Sequence, residues 1–441
     1  SNMLKTLVGA FKNKDIRKKI LYTLMILVIV RVGSLLPIPG VDTEYFSSLL
    51  SGINTGDLSY LSAFTGGSFE RMSLFALSIT PYITSSIIMQ LLAIAIPKLE
   101  EMQKEGEDGR KKIAAITRYV TIALALIESI AMAVGFGRSG LIKGYQGFST
   151  LHYIVSIIVV VAALTAGSAM LMWLGERITE NGVGNGISIV LLINIISGMP
   201  SDFATLYSTF VAPRTIAKGV LAAAIIIAIL VVMVVLVCFL QDGERRIPVQ
   251  YSQKVSGRKT FGGQSTNIPL KVNTAGVMPV IFASSLMQFP VIIAQLFGKS
   301  YEWTRYLSSS YWCRISAPKY SIGLILYIVL LIIFAYFYTS ITFNPIEVAD
   351  NLKKAGGVIP GITPGKSTSD YLNNILNYIV FVGAVGLLII ALIPIMCTGF
   401  FNASVSFGGT SVIIIVGVVL ETLKQIESQM VNRYYKGFLS E

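Results

Sequence analysis

The chain has 441 residues, of which 54% are hydrophobic and 13% charged, with a formal net charge of +12. Soluble domains carry about 25% charged residues, so this chain lacks the polar material to cover a water-facing surface. Three cysteines far apart (Cys238, Cys313, Cys397) and a single histidine, His152, exclude a disulfide framework and offer no metal-ligand spacing.

The natural unit is therefore the membrane span, which needs about 20 mostly apolar residues. The first run covers 20–36, behind a basic head over 1–19. That head imitates a signal peptide, but no small-residue cleavage site follows the run. The segment 57–71 comes next and fits no simple span, being short and broken by Gly66 and Gly67. It reads equally as an outer loop or as a re-entrant helix filling a cavity, since non-helical backbone is tolerated at membrane depth where protein or water surrounds it. Further runs lie at 72–96, 113–134, 153–173 and 184–197, then at 219–240, 276–297, 321–342, 371–397 and 410–423.

Two of these ten spans are unusually polar. The second contains Ser78, Thr80, Pro81, Thr84, Ser85, Ser86 and Gln90, and the seventh Pro279, Ser284, Ser285 and Pro290. Lipid does not tolerate such groups, so both helices are expected to face a protein interior or a watery cavity. The connection 199–218 divides the chain into an N-terminal half (20–198) and a C-terminal half (219–423), with a tail over 424–441. Five spans in each half make the halves antiparallel, and inverted repeats place a functional path at their interface.

Charge sets the orientation. Of the 35 Lys and Arg residues, 24 fall in the two terminal segments and alternate connections, including 98–112, 241–271 and 344–370, while nine lie on the opposite side. The richer side is expected to be cytoplasmic, together with both termini. This bias also accounts for the net charge without a nucleic-acid partner. No enzyme emerges. The closest imitation of a phosphate loop, from Gly361 to Ser367, has three residues between its glycines where four are needed. Pro364 also lacks an N–H to offer phosphate. No cofactor or metal is expected.

Several strings resemble the bacterial SecY family. They are LLPIPGVD (35–42), SITPYITSSIIMQLL (78–92), KEGEDGRKKI (104–113) with TRY (117–119), and MWLGERITENGVGNGISI (172–189). QSTNIPLKVNTAGVMPVIFASS (264–285), FNPIEVADNLKKAGGVIPGITPGKST (343–368) and FGGTS (407–411) complete the set, in family order and spacing. The resemblance implies an all-α membrane protein. Its ten transmembrane helices would form two pseudo-inverted five-helix halves around an hourglass pore, closed by a short plug helix. Such a channel passes unfolded polypeptide across the bacterial cytoplasmic membrane and releases transmembrane segments through a lateral gate.

The same resemblance assigns residues. The pore ring would be Ile79, Ile83, Leu191, Ile281 and Ile414, with Leu191 a departure from the family's preference for Ile. The plug would be 57–71, with Leu58, Leu61, Phe64, Gly66, Gly67 and Phe69. Thr84, Gln90, Ser284, Ser285 and Phe289 would form the lateral gate, the polar groups hydrogen-bonding across its closed seam. Partner docking would fall to Arg245, Arg246, Lys254, Arg258 and Lys259 in one loop and to Lys353, Lys354 and Lys366 in another. Thr363 stands where the family usually has an Arg linked to motor-driven activity, so either Lys366 substitutes for it or the coupling differs. The implied partners are small SecE-like and SecG-like subunits, a SecA-like ATPase motor, the ribosome, signal-bearing polypeptides and the lipid bilayer.

Two other readings fit inverted halves. A secondary transporter needs coordinating groups at mid-membrane, and Glu128 is the main buried acid on offer. A non-transporting insertase or scaffold is the other.

Overall fold

The structure, a computed structural model, describes residues 2–39, 41, 73–77, 79–104, 106–136, 150–208, 215–251, 254–256, 259–261, 265–271, 278–296, 322–342, 345–401 and 411–439. Each of the ten apolar runs lies on a helix. In the first half these are α2 (Lys14–Leu35), α3 (Thr80–Ala95), α5 (Glu107–Phe136), α6 (Thr150–Asn181) and α7 (Gly186–Leu206). In the second they are α8 (Ile216–Asp242), α9 (Met278–Leu296), α10 (Ile322–Thr342), α12 (Lys366–Phe401) and α13 (Ser411–Leu439). Three short helices, α1 (Asn2–Lys12), α4 (Pro97–Lys104) and α11 (Pro345–Lys354), lie between or before them.

Local chemistry explains the boundaries. Asn13 is extended and its side chain accepts from the Asp15 N–H at 3.3 Å, capping α2. The run 72–96 is helical only from Thr80. Pro81 in the first turn is already short of an N–H where none is needed. The residues before it are held differently: Ser73 bridges Pro37, and the Leu74 N–H donates to the Leu36 carbonyl at 3.0 Å. Ile96 is extended ahead of Pro97, as the residue before proline prefers, and α3 stops there. The fifth helix is longer than its apolar run, continuing through Pro200 to Leu206.

The packing of the two halves repeats. In the first half α2 packs on α6 and α7, α3 on α5, and α5 on α6. Shifted by five spans, α8 packs on α12 and α13, α9 on α10, and α10 on α12. The inverted repeat anticipated from span parity thus has a counterpart in helix pairing. The halves meet along two seams, α7 against α13 and α3 against α9, with α5 also touching α9. Within the first half α7 starts close against α6, its first residue Gly186 sitting directly on the Gly175 carbonyl.

A small sheet lies outside the bundle. Strand β1 (Glu244–Tyr251) pairs antiparallel with β4 (Ser265–Lys271), Ile247 opposite Ile268, and with the short β5 (Gly357–Val358). β2 (Lys254–Ser256) and β3 (Lys259–Phe261) pair with each other at the tip of the β1–β4 connection. Ile247, Val249 and Leu270 cluster with Leu352, Ile359, Leu372, Ile375 and Ile379, so the sheet sits on α11 and the start of α12. The connections 241–271 and 344–370 are therefore one packed body.

A closed apolar constriction between two helix bundles

Ile79 immediately precedes α3, and Ile83 and Ile87 follow at steps of four on the same face. All three turn inward and are at most 3% exposed. Leu191 from α7, Ile281 from α9 and Ile414 from α13 join them, at most 1% exposed each, in one continuous cluster. Four helices from both halves thus meet in a single apolar knot. Wetting it would cost about 1.5–3 kcal/mol for each branched side chain exposed. Solvent does not reach these side chains.

The hydroxyl protons of Thr84 and Ser85 on α3 are used within the first half. The Thr84 hydroxyl donates to the Thr80 carbonyl within α3, at 3.0 Å. Ser85 donates to the Thr117 carbonyl of α5 at 2.8 Å. Ser284 of α9 lies beside Tyr327 of α10, and Gln90 of α3 beside Tyr338 of α10. Thr84 and Ser85 are thus satisfied within the first half, while Gln90 Oε1 is buried without a hydrogen-bond partner. A serine or threonine hydroxyl readily bonds the carbonyl one turn back, which a span reading does not anticipate. Ser285 is buried beside Ser284. The side chain of Phe289 and all six plug candidates, Leu58, Leu61, Phe64, Gly66, Gly67 and Phe69, lie outside the described residues.

Sequence reasoning gave no role to Arg118, which pairs with Glu176 at 2.7 Å and ties α5 to α6. Their separation of 58 residues hides the pair from any local pattern. Glu128 is buried on α5 next to Ser129, whose Oγ accepts from Thr165. Arg118 is committed to Glu176, and no ion pair to Glu128 is present among the described residues.

The basic residues gather on the sheet body. Arg245, Arg246, Lys353, Lys354 and Lys366 are at its surface. Arg246 is tied down by Glu244 at 3.0 Å. Lys254 and Lys259 lie on the paired β2 and β3, while Arg258 is outside the described residues. Thr363 is exposed at the tip of the second connection, between Gly361 and Gly365, both at positive φ. Its carbonyl accepts from the Thr368 hydroxyl at 2.8 Å.

Two helix bundles meeting on a solvent-free apolar knot, with polar helices at their interface, define a polytopic helical membrane protein. Comparison with known proteins narrows this. The SecY family model matches residues 73–423. The protein translocase subunit SecY of Streptomyces galbus is 44% identical over 446 residues, covering 99% of this chain and 100% of the relative. A solved SecY translocation channel, described for a plug domain that stabilises its closed state, superposes with a TM-score of 0.62 at 19% identity, covering 94% of this chain and 92% of that one. Sec61 from a canine ribosome–channel complex superposes at 0.59, also at 19% identity, covering 94% and 93%. The chain belongs to the SecY family, the channel subunits of the protein translocase, and has their ten-helix fold.

Proposed function

We propose that unfolded polypeptide passes through the knot formed by Ile79, Ile83, Leu191, Ile281 and Ile414, and that the seam between α3 and α9 is the lateral exit into lipid. The observation that carries this reading is the meeting of apolar side chains from both halves in one solvent-free cluster. An apolar ring seals by dewetting, and unbonded side chains rearrange around any passing sequence. The segment 57–71 acts as the plug on the outer side, by likeness to the solved channel with a plug domain. Both termini and the sheet body face the cytoplasm of a bacterium, as the charge bias supports.

Arg245, Arg246, Lys353, Lys354 and Lys366 offer docking for ribosomal RNA or the acidic surface of an ATPase motor, joined on this body by Lys254, Arg258 and Lys259. The canine neighbour in its ribosome complex supports the first. Small SecE-like and SecG-like subunits complete the channel. No bond is made or broken by the chain, and energy comes from the partner.

A disulfide across the exit tests the reading. Thr84→Cys on α3 and Phe289→Cys on α9, oxidised in membranes, should block export of signal-bearing polypeptides, and reduction should restore it. Efficient cross-linking with undiminished export would reject the lateral exit.

A further inference from the structure

By span parity α4 and α11 lie on the same side as both termini. There α4 packs on α3 and α5 of the first half, and α11 on α12 and β5 of the second. The N-terminal α1 is placed differently, packing on α2 of the first half and on α13 of the second. Ala10 of α1 is buried in one apolar cluster with Ile16 of α2, Val183 of the α6–α7 turn and Ile426 of α13, and Ile20 and Met430 close its edge. Gly9 comes so near α13 that a methyl group there would meet Met430 Cε at 2.8 Å. Thr422, Ile426 and Met430, spaced by four, share one face of α13, and the first half holds that face.

The turn from α6 to α7 is itself fixed to the first half. The Val183 N–H donates to Thr23 Oγ1 at 3.0 Å, and the Thr23 hydroxyl donates in turn to the Lys19 carbonyl at 2.9 Å. Gly184 sits at a φ of +80°, and a methyl group there would reach Thr422 Oγ1 at 3.1 Å, so the turn lies directly against α13. From this turn α7 runs to the connection 199–218, which joins the halves covalently. The α7–α13 seam is thus held at both ends, by the bonded chain at one and by the buried cluster at the other. Two fixed points define an axis. At the α3–α9 seam the neighbouring small elements, α4 and the sheet body, pack within their own halves.

We propose that α1, the α6–α7 turn and the C-terminal part of α13 form the pivot on which the two halves turn when the α3–α9 seam opens. The proposal rests on reading that seam as the lateral exit. An apolar cluster suits a pivot. Its attraction has no fixed direction, so Ile16, Val183 and Ile426 roll over one another through a small angle without breaking a bond. Parting them would return branched side chains to water, which keeps the cluster closed. Ile414 of the knot stands twelve residues before Ile426 on the same continuous helix, about 18 Å along its axis. Holding Ile426 against the first half keeps α13, and Ile414 with it, on α7 while α9 carries Ile281 away from α3. The knot then opens on its α3–α9 side and stays packed on its α7–α13 side.

The test uses the assembled translocase in vesicles, with Cys238, Cys313 and Cys397 replaced by Ser and one new cysteine pair at a time. Gly9→Cys with Met430→Cys spans the pivot, and Thr84→Cys with Phe289→Cys spans the exit. Each pair meets a short bis-methanethiosulfonate, first in the idle channel and then with a signal-bearing polypeptide stalled halfway. Stalling should leave the yield of the pivot pair unchanged and lower that of the exit pair severalfold. If both yields fall, the halves part at each seam, so the exit stands and the pivot falls. If neither falls while the chain spans the membrane, the exit is rejected and the pivot with it. A pivot pair that does not link in the idle channel would also overturn the proposal. A second variant makes the pivot pair report on the cluster. Val183→Ala with Ile426→Ala thins the packing without adding charge, and stalling should then lower the pivot yield severalfold. A yield still indifferent to stalling would show that these side chains do not hold the pivot, and the assignment would fall.

Discussion

At Gly186 there is no room for a methyl group. A Cβ there would run into the Gly175 carbonyl and press on Thr179 Oγ1, which already accepts from the Gly186 N–H at 2.9 Å. Overpacking of this kind typically costs about 1–3 kcal/mol. Gly186→Ala should therefore lower the thermal unfolding midpoint of the detergent-solubilised protein, and an unchanged midpoint would show that α6 and α7 relax. The ring makes a different prediction. Ile83→Ser with Ile281→Ser places hydroxyls where dewetting keeps water out, so ion conductance through reconstituted vesicles should rise several-fold. Single residues of the ring were legible only through the family strings. An isoleucine in an apolar helix carries no mark of its function, and no local pattern brings Ile83 into one cluster with Ile281. The links of Gln90 and Ser284 to α10 were not legible at all, because Tyr338 and Tyr327 are remote in sequence and look like ordinary span residues.

Among elements, the spans were the most readable, since hydrocarbon demands a long apolar run whatever packs against it. All ten runs carry helices, but several ends differ: α3 starts only at Thr80, ahead of Pro81, while α6, α7 and α13 run past their apolar stretches to Asn181, Leu206 and Leu439, where helix propensity outlasts hydropathy. The sheet was missed. In 244–251 only Ile247 and Val249 are buried among exposed neighbours, a signal too short to stand out beside the strong spans. Its assembly also needs β5, which follows β1 only after three further strands and three helices. The sheet brings the two basic connections onto one surface, which makes their charge additive. Replacing Arg245, Arg246 and Lys354 with Glu should weaken ribosome binding. The dependence of the remaining binding on salt should flatten by roughly one unit of log–log slope for each RNA phosphate that is no longer neutralised. Membrane insertion should persist, because the other basic segments still set topology. Normal binding at physiological salt would leave these residues as topology signals alone.

For the whole molecule, the parity of five and five spans anticipated opposed halves, and the shared pattern of helix pairing is its structural form. Parity does not reveal which helices face each other across the midline, because seams are chosen by packing and not by hydropathy. Orientation is directly measurable. Thr363→Cys in a background without Cys238, Cys313 and Cys397 should react with a membrane-impermeant maleimide only when the cytoplasmic face is accessible. Labelling of intact cells would invert the topology.

The central claim is that the translocating chain crosses the membrane through the apolar knot. Its most direct test places a photo-crosslinking side chain at Ile83, at Ile281 and at Val231, the last on the largely lipid-facing α8 and 54% exposed. A polypeptide stalled halfway through export should attach to positions 83 and 281 and spare position 231. Attachment at 231 equal to that at the ring, or none at the ring while the chain spans the membrane, would contradict the account.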